Sequence, residues 1–130
     1  MIPENYKALI VKLKQKTLNK ETIWSKTSRN EEYKLVLDKG AITIDKWDSD
    51  SVSYIDISII NDRGDVIDRI QVSDGEELND YNLLSELHAA AKRAYYKVDE
   101  TIKSIFIELD SSKIIGKENA PSDDVDDLPF

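Results

Sequence analysis

The 130-residue chain has no cysteine, one histidine, one methionine, three prolines and four glycines. Without cysteine there is no disulfide framework and no thiol nucleophile, and the soft ligands of most structural zinc sites are missing. A lone histidine, His88, offers no pair for metal binding and no catalytic dyad. No glycine-rich loop is present to cradle a phosphate. Long apolar runs are also lacking. Ala8-Leu9-Ile10-Val11 is too short for the core of an export signal, and Met1 to Asn5 carries no basic residue. No stretch approaches a membrane span, so a soluble, cytoplasmic protein with no membrane partner is expected.

What is present is charge and enough apolar content for a core. Hydrophobic residues make up 40% of the chain and charged residues 34%, a balance that suits one compact, highly soluble domain. The net charge of -8 is unevenly distributed. Residues 1–30 hold seven basic and two acidic side chains, a net +5. Residues 31–116 hold ten basic and nineteen acidic, a net -9, and residues 117–130 hold one basic and five acidic, a net -4. An acidic whole argues against simple coating of a phosphate backbone, while the basic front keeps a local version of that contact open.

Periodicity predicts an α+β fold. Pro3 suits a helix start, and Tyr6, Leu9, Ile10, Leu13 and Thr17 form an apolar stripe that predicts a helix over 3–19. From Tyr33 the period changes to two, and four strands follow to Val72. Asp38-Lys39-Gly40, Asp48-Ser49-Asp50-Ser51 and Asn61-Asp62-Arg63-Gly64 are the turns between them. Short turns give an antiparallel meander, apolar on one face. Ser73 or Asp74 is the expected cap of a second helix.

That helix carries Leu83, Leu84, Leu87, Ala91, Ala94, Val98, Ile102, Ile105 and Leu109 at three- and four-residue steps, with no Gly or Pro from Asn79 to Ser112. Unbroken over 80–109 it would span about 45 Å, longer than a four-stranded sheet is wide. Either it kinks, or its far half buries Ile102, Phe106 and Leu109 against Ile114-Ile115 or a second copy, giving a homodimer. Residues 1–116 are thus expected to form a single α+β domain, with the long helix packed on one face of the sheet. Residues 117–130 follow as a flexible, disordered acidic tail.

The body offers little chemistry. His88 lies mid-helix between Leu87 and Ala89, as a surface or half-buried residue does. Asp48 and Asp50 resemble the opening of a calcium loop, but the glycine and closing glutamate are missing. Arg63-Gly64-Asp65 spells an adhesion tripeptide that a hairpin turn explains equally well. Asp56, Asp62, Asp65 and Asp68 read as solvated hairpin residues. No catalytic constellation, metal site or cofactor is expected.

The final stretch differs in kind. Asp123-Asp124-Val125-Asp126-Asp127-Leu128-Pro129-Phe130 ends an acidic run on an aromatic anchor. A terminal phenylalanine offers a ring for an apolar pocket beside a carboxylate for a cationic rim, a known mode of chain-end capture. Pro129 restricts the backbone and lowers the ordering cost.

At these residues the chain resembles the C-terminal tip of bacterial single-stranded DNA-binding proteins, an acidic run closing in Asp-Asp-Ile/Leu-Pro-Phe. The resemblance covers fewer than ten residues of the 130, and Val125 interrupts the acidic run. It implies that Phe130 with Leu128 is the anchor, that Pro129 shapes the approach, and that Asp124, Asp126 and Asp127 make the electrostatic contacts. It also implies a partner class: helicases, nucleases, recombination mediators and polymerase accessory subunits of bacterial genome maintenance. Those proteins begin with an oligonucleotide-binding barrel, whereas the pattern here is helix, strands, helix.

The first reading is therefore a non-enzymatic interaction protein whose tail recruits or competitively inhibits such partners, as a phage or mobile-element protein would. The second is direct single-stranded DNA binding through Lys12, Lys14, Lys20, Trp24, Lys26 and Arg29, with Tyr54 as a further stacking surface. A tryptophan in a connector more commonly plugs the edge of a core, and that is the expected role of Trp24. The third is an acidic immunity or antitoxin-like inhibitor presenting Asp45, Asp48, Asp50, Asp56, Asp62, Asp65 and Asp68. The opposite charges of front and tail also suggest that the tail rests on its own basic helix when no partner is bound.

Overall fold

The computed structural model describes residues 1–117. The tail residues Asp124, Asp126, Asp127, Leu128, Pro129 and Phe130 lie outside the described residues. The elements run α1 (Glu4–Leu18), β1 (Trp24–Lys26), β2 (Glu32–Leu37), β3 (Gly40–Ser49), β4 (Val52–Asn61), β5 (Val66–Ser73), α2 (Leu78–Tyr96) and α3 (Val98–Leu109). Two units are distinguished, residues 1–99 and residues from Glu100 onward.

The fold class is α+β, with the strands in one antiparallel meander ordered β1-β2-β3-β4-β5. The sheet has five strands rather than the expected four. The extra one, β1, is three residues long and pairs Trp24 with Leu35 and Lys26 with Tyr33. Three residues cannot establish a period, and only one of them, Trp24, is apolar.

Alternation decides which side of the sheet is dry. Trp24, Tyr33, Leu35, Ile42, Ile44, Ile55, Ile57 and Val72 point into a shared core. Tyr6, Ile10 and Leu13 of α1 and Tyr81, Leu84, Leu87 and Ala91 of α2 close it from the other side. Both helices therefore bury an apolar stripe against one sheet face, and within residues 1–99 no helix packs on the opposite face.

The hairpins use backbone the sequence pattern only partly announces. Asp50 and Ser51 take φ of 51° and 68°, the doubly positive pattern of a type I′ turn, although neither is glycine. Gly40 opens β3 opposite Leu37, and a Cβ there would stand 2.3 Å from the Ile60 carbonyl oxygen. In the next turn the Asn61 side chain accepts hydrogen bonds from the amides of Arg63 and Asp65, each at 3.0 Å. This organises Arg63-Gly64-Asp65 as turn geometry.

The expected cap of the second helix is corrected, and of the two alternatives for its length the break is the one found. Ser73 ends β5 and Asp74 accepts a hydrogen bond from the Ser53 amide, so neither caps α2, which begins after Glu77. The long helix is also broken. Lys97 adopts left-handed backbone, φ 53° and ψ 46°, and its amide turns back to the Ala94 carbonyl at 3.2 Å. A left-handed lysine costs about 1–2 kcal/mol, and two exposed ion pairs converge at the break. Arg93 Nη2 meets Asp99 Oδ1 at 2.6 Å, and Lys20 Nζ meets Asp99 Oδ2 at 2.9 Å. In a continuous helix, residues six apart point roughly 120° away from each other, so the Arg93–Asp99 pair needs the break. The two cations hold the Asp99 carboxyl below its ordinary range.

Candidate functional site

The basic front does not form a free cationic stripe. Lys14 Nζ pairs with Glu86 at 2.6 Å and Lys20 with Asp99. Lys26 Nζ donates to the carbonyls of Thr27 and Arg29, folding the β1–β2 connection on itself. Arg29 Nε pairs with Asp45 at 2.6 Å. Lys12 is exposed on α1. Trp24 is 4% exposed, and its Nε1 donates to Thr17 Oγ1 at 3.0 Å. It is the core plug, and the stacking role of the single-stranded DNA reading is corrected: a ring packed among Leu35 and its neighbours presents no face to a base.

His88 is more deeply set than its sequence position announces. It is buried, its Nε2 donates to the Glu31 carbonyl at 2.8 Å, and its ring meets Tyr33 edge-on at 5.5 Å. Burial pushes its pKa down, against a smaller upward pull from Glu31. Lys92 Nζ grips the Glu31 carboxylate at 3.0 and 3.1 Å. The imidazole thus locks α2 onto the start of β2, a structural role. A shallow depression of about 380 Å³ beside it is lined by Glu31, Lys46, Asp48, Ser85, His88, Ala89 and Lys92.

The one-sided apolar pattern announces a polar sheet face, but not which side chains meet on it. The residues of that face form cross-strand rows. Glu32, Asp45, Asp56 and Gln71 make one, and Lys34, Thr43, Ser58 and Arg69 make the next. Trp47 lies opposite Tyr54, and their rings stack at 4.4 Å with 16° between planes. A polar depression of about 300 Å³ lies among Arg29, Glu32, Asp45, Trp47, Asp56, Ser58, Arg69 and Gln71.

Two carboxylates there are set into the sheet rather than spread in solvent. The Asp45 side chain is nearly buried beneath Arg29. Asp56 Oδ2 accepts from Trp47 Nε1 at 3.2 Å, while its buried Oδ1 has no hydrogen-bond partner among the described residues. Burial therefore raises the Asp56 pKa, with Trp47 and Arg69 pulling the other way. This corrects Asp45 and Asp56 as freely presented acids, while Asp48, Asp50, Asp62, Asp65 and Asp68 are exposed. Strand periodicity could place these polar residues outward, but only register brings three acids into one row.

Among the described residues, no group of three or more His, Asp or Glu is arranged to hold a metal ion. No helix among them is long and apolar enough to cross a membrane. Comparison with family models, with curated proteins and with solved structures returns no match for this chain.

Proposed function

We propose that the protein is a non-enzymatic interaction module. Its Asp123–Phe130 segment docks on bacterial genome-maintenance proteins that possess a pocket for the tip of single-stranded DNA-binding proteins. The observation that carries this reading is the sequence itself: Asp126-Asp127-Leu128-Pro129-Phe130 reproduces that tip residue for residue. The body supports it by giving the basic front other work. Lys14, Lys20 and Arg29 are paired with acids of the same chain, and Trp24 is buried. Docking of this kind recruits the partner to whatever the body holds, or displaces the natural tip from the same pocket.

Loss of an anchoring aromatic costs roughly 2–4 kcal/mol in such sites. The test is fluorescence anisotropy with a labelled tip peptide bound to a bacterial helicase known to take it. The 130-residue chain is expected to displace the peptide, and the chain lacking Phe130 is expected to fail at tens of micromolar. Equal displacement by the two chains would sink the reading.

A further inference from the structure

Helix α3 is amphipathic, and its apolar side is exposed among the described residues. None of its residues is buried. Ile102, Ile105, Phe106 and Leu109 are 43, 51, 60 and 53% exposed. At 100° per residue, these four lie on one stripe. Large apolar side chains exposed together on one stripe are the mark of an interaction site. Fourteen residues beyond Leu109 the acidic motif begins at Asp123. Residues 118–130 hold five acids and no base, so a basic surface is the electrostatic complement of that segment.

We propose that the α3 stripe is a second docking face for the same partner, and that it fits an apolar groove beside the basic pocket that takes the acidic motif. This rests on the function proposed above and adds a contact to it. Charge favours this occupant over a second copy of the chain. Pairing two copies through α3 would bring two segments of five acids each, on chains of net charge -8, into one neighbourhood. A basic partner turns the same charges from repulsive to attractive. The connection also permits both contacts at once. Fourteen residues reach at most about 50 Å when extended, enough to span one protein surface, so that either contact raises the effective concentration of the other.

The probe is the same helicase, titrated by anisotropy with full-length variants. Phe106→Asp places a charge on the stripe. Ile107→Asp places the same charge on a residue 68% exposed and roughly opposite Ile105 on the helix. Phe106→Asp is expected to weaken displacement of the tip peptide by at least tenfold, about 1.4 kcal/mol, while Ile107→Asp and the wild type agree within twofold. Neither side chain is buried, so both variants should keep the wild-type circular dichroism and melting temperature.

If Phe106→Asp binds as tightly as wild type while the chain lacking Phe130 does not, the α3 contact is wrong and the tail reading stands. If Phe106→Asp weakens binding and removal of Phe130 has no effect, α3 docking stands and the tail reading fails. A wild-type dimer in light scattering that Phe106→Asp converts to monomer, with helicase affinity unchanged, overturns the proposal in favour of self-association.

Discussion

Burial on the open sheet face disfavours the charge of Asp56 more than Trp47 and Arg69 restore it. The folded state therefore holds that proton more tightly than the unfolded chain. Stability contributed by the protonated form is lost as pH rises from the ordinary carboxyl value of 3.8 upward. Asp56→Asn is expected to be more stable than wild type in urea at pH 7, with the advantage shrinking as pH falls toward 4. His88 has the opposite sign. Its folded pKa lies below the ordinary 6.5, so its contribution is intact above that value and fades as pH drops below it. Urea midpoints between pH 8 and 5 should show that loss in wild type and a smaller one in His88→Gln. Gly40 makes a steric prediction. Its missing Cβ is what lets the Ile60 carbonyl approach, so Gly40→Ala is expected to cost about 1–3 kcal/mol, read as a lower thermal midpoint.

The elements differ in how much of them the chain announces. Strands β2 to β5 were legible because Tyr33 to Val72 alternates over most of its length and each turn carries Gly, Asp or Asn. The α1 stripe was legible too, with Tyr6, Ile10, Leu13 and Thr17 all buried. Strand β1 was not, since its place depends on pairing with β2 rather than on any local pattern. The end of α2 left no signal at all. Lys97 is neither Gly nor Asn, yet it sits left-handed where Arg93, Lys20 and Asp99 converge. A glycine pays no steric penalty in that conformation. Lys97→Gly is therefore expected to stabilise the chain by up to about 1 kcal/mol, whereas Asp99→Ala should destabilise it, both by thermal denaturation. The open-face row Glu32, Asp45 and Asp56 was illegible for a related reason: alternation gives the face, and only register gives the neighbours.

For the whole molecule, a net charge of -8 with five acids in its last thirteen residues makes association with a basic partner dependent on ionic strength. Raising salt from 50 to 300 mM is expected to weaken the proposed helicase binding mainly through slower association, as stopped-flow mixing at both concentrations can check. The sheet itself divides the molecule optically. Trp24 sits on its dry side, buried against Thr17, and Trp47 on its wet side, half-exposed against Tyr54 with its indole hydrogen on Asp56. These are the two tryptophans of the chain. Each is therefore a separate intrinsic fluorophore. Emission from Trp24 reports the integrity of the core, while emission from Trp47 follows the protonation of one carboxylate and anything that settles on the open face.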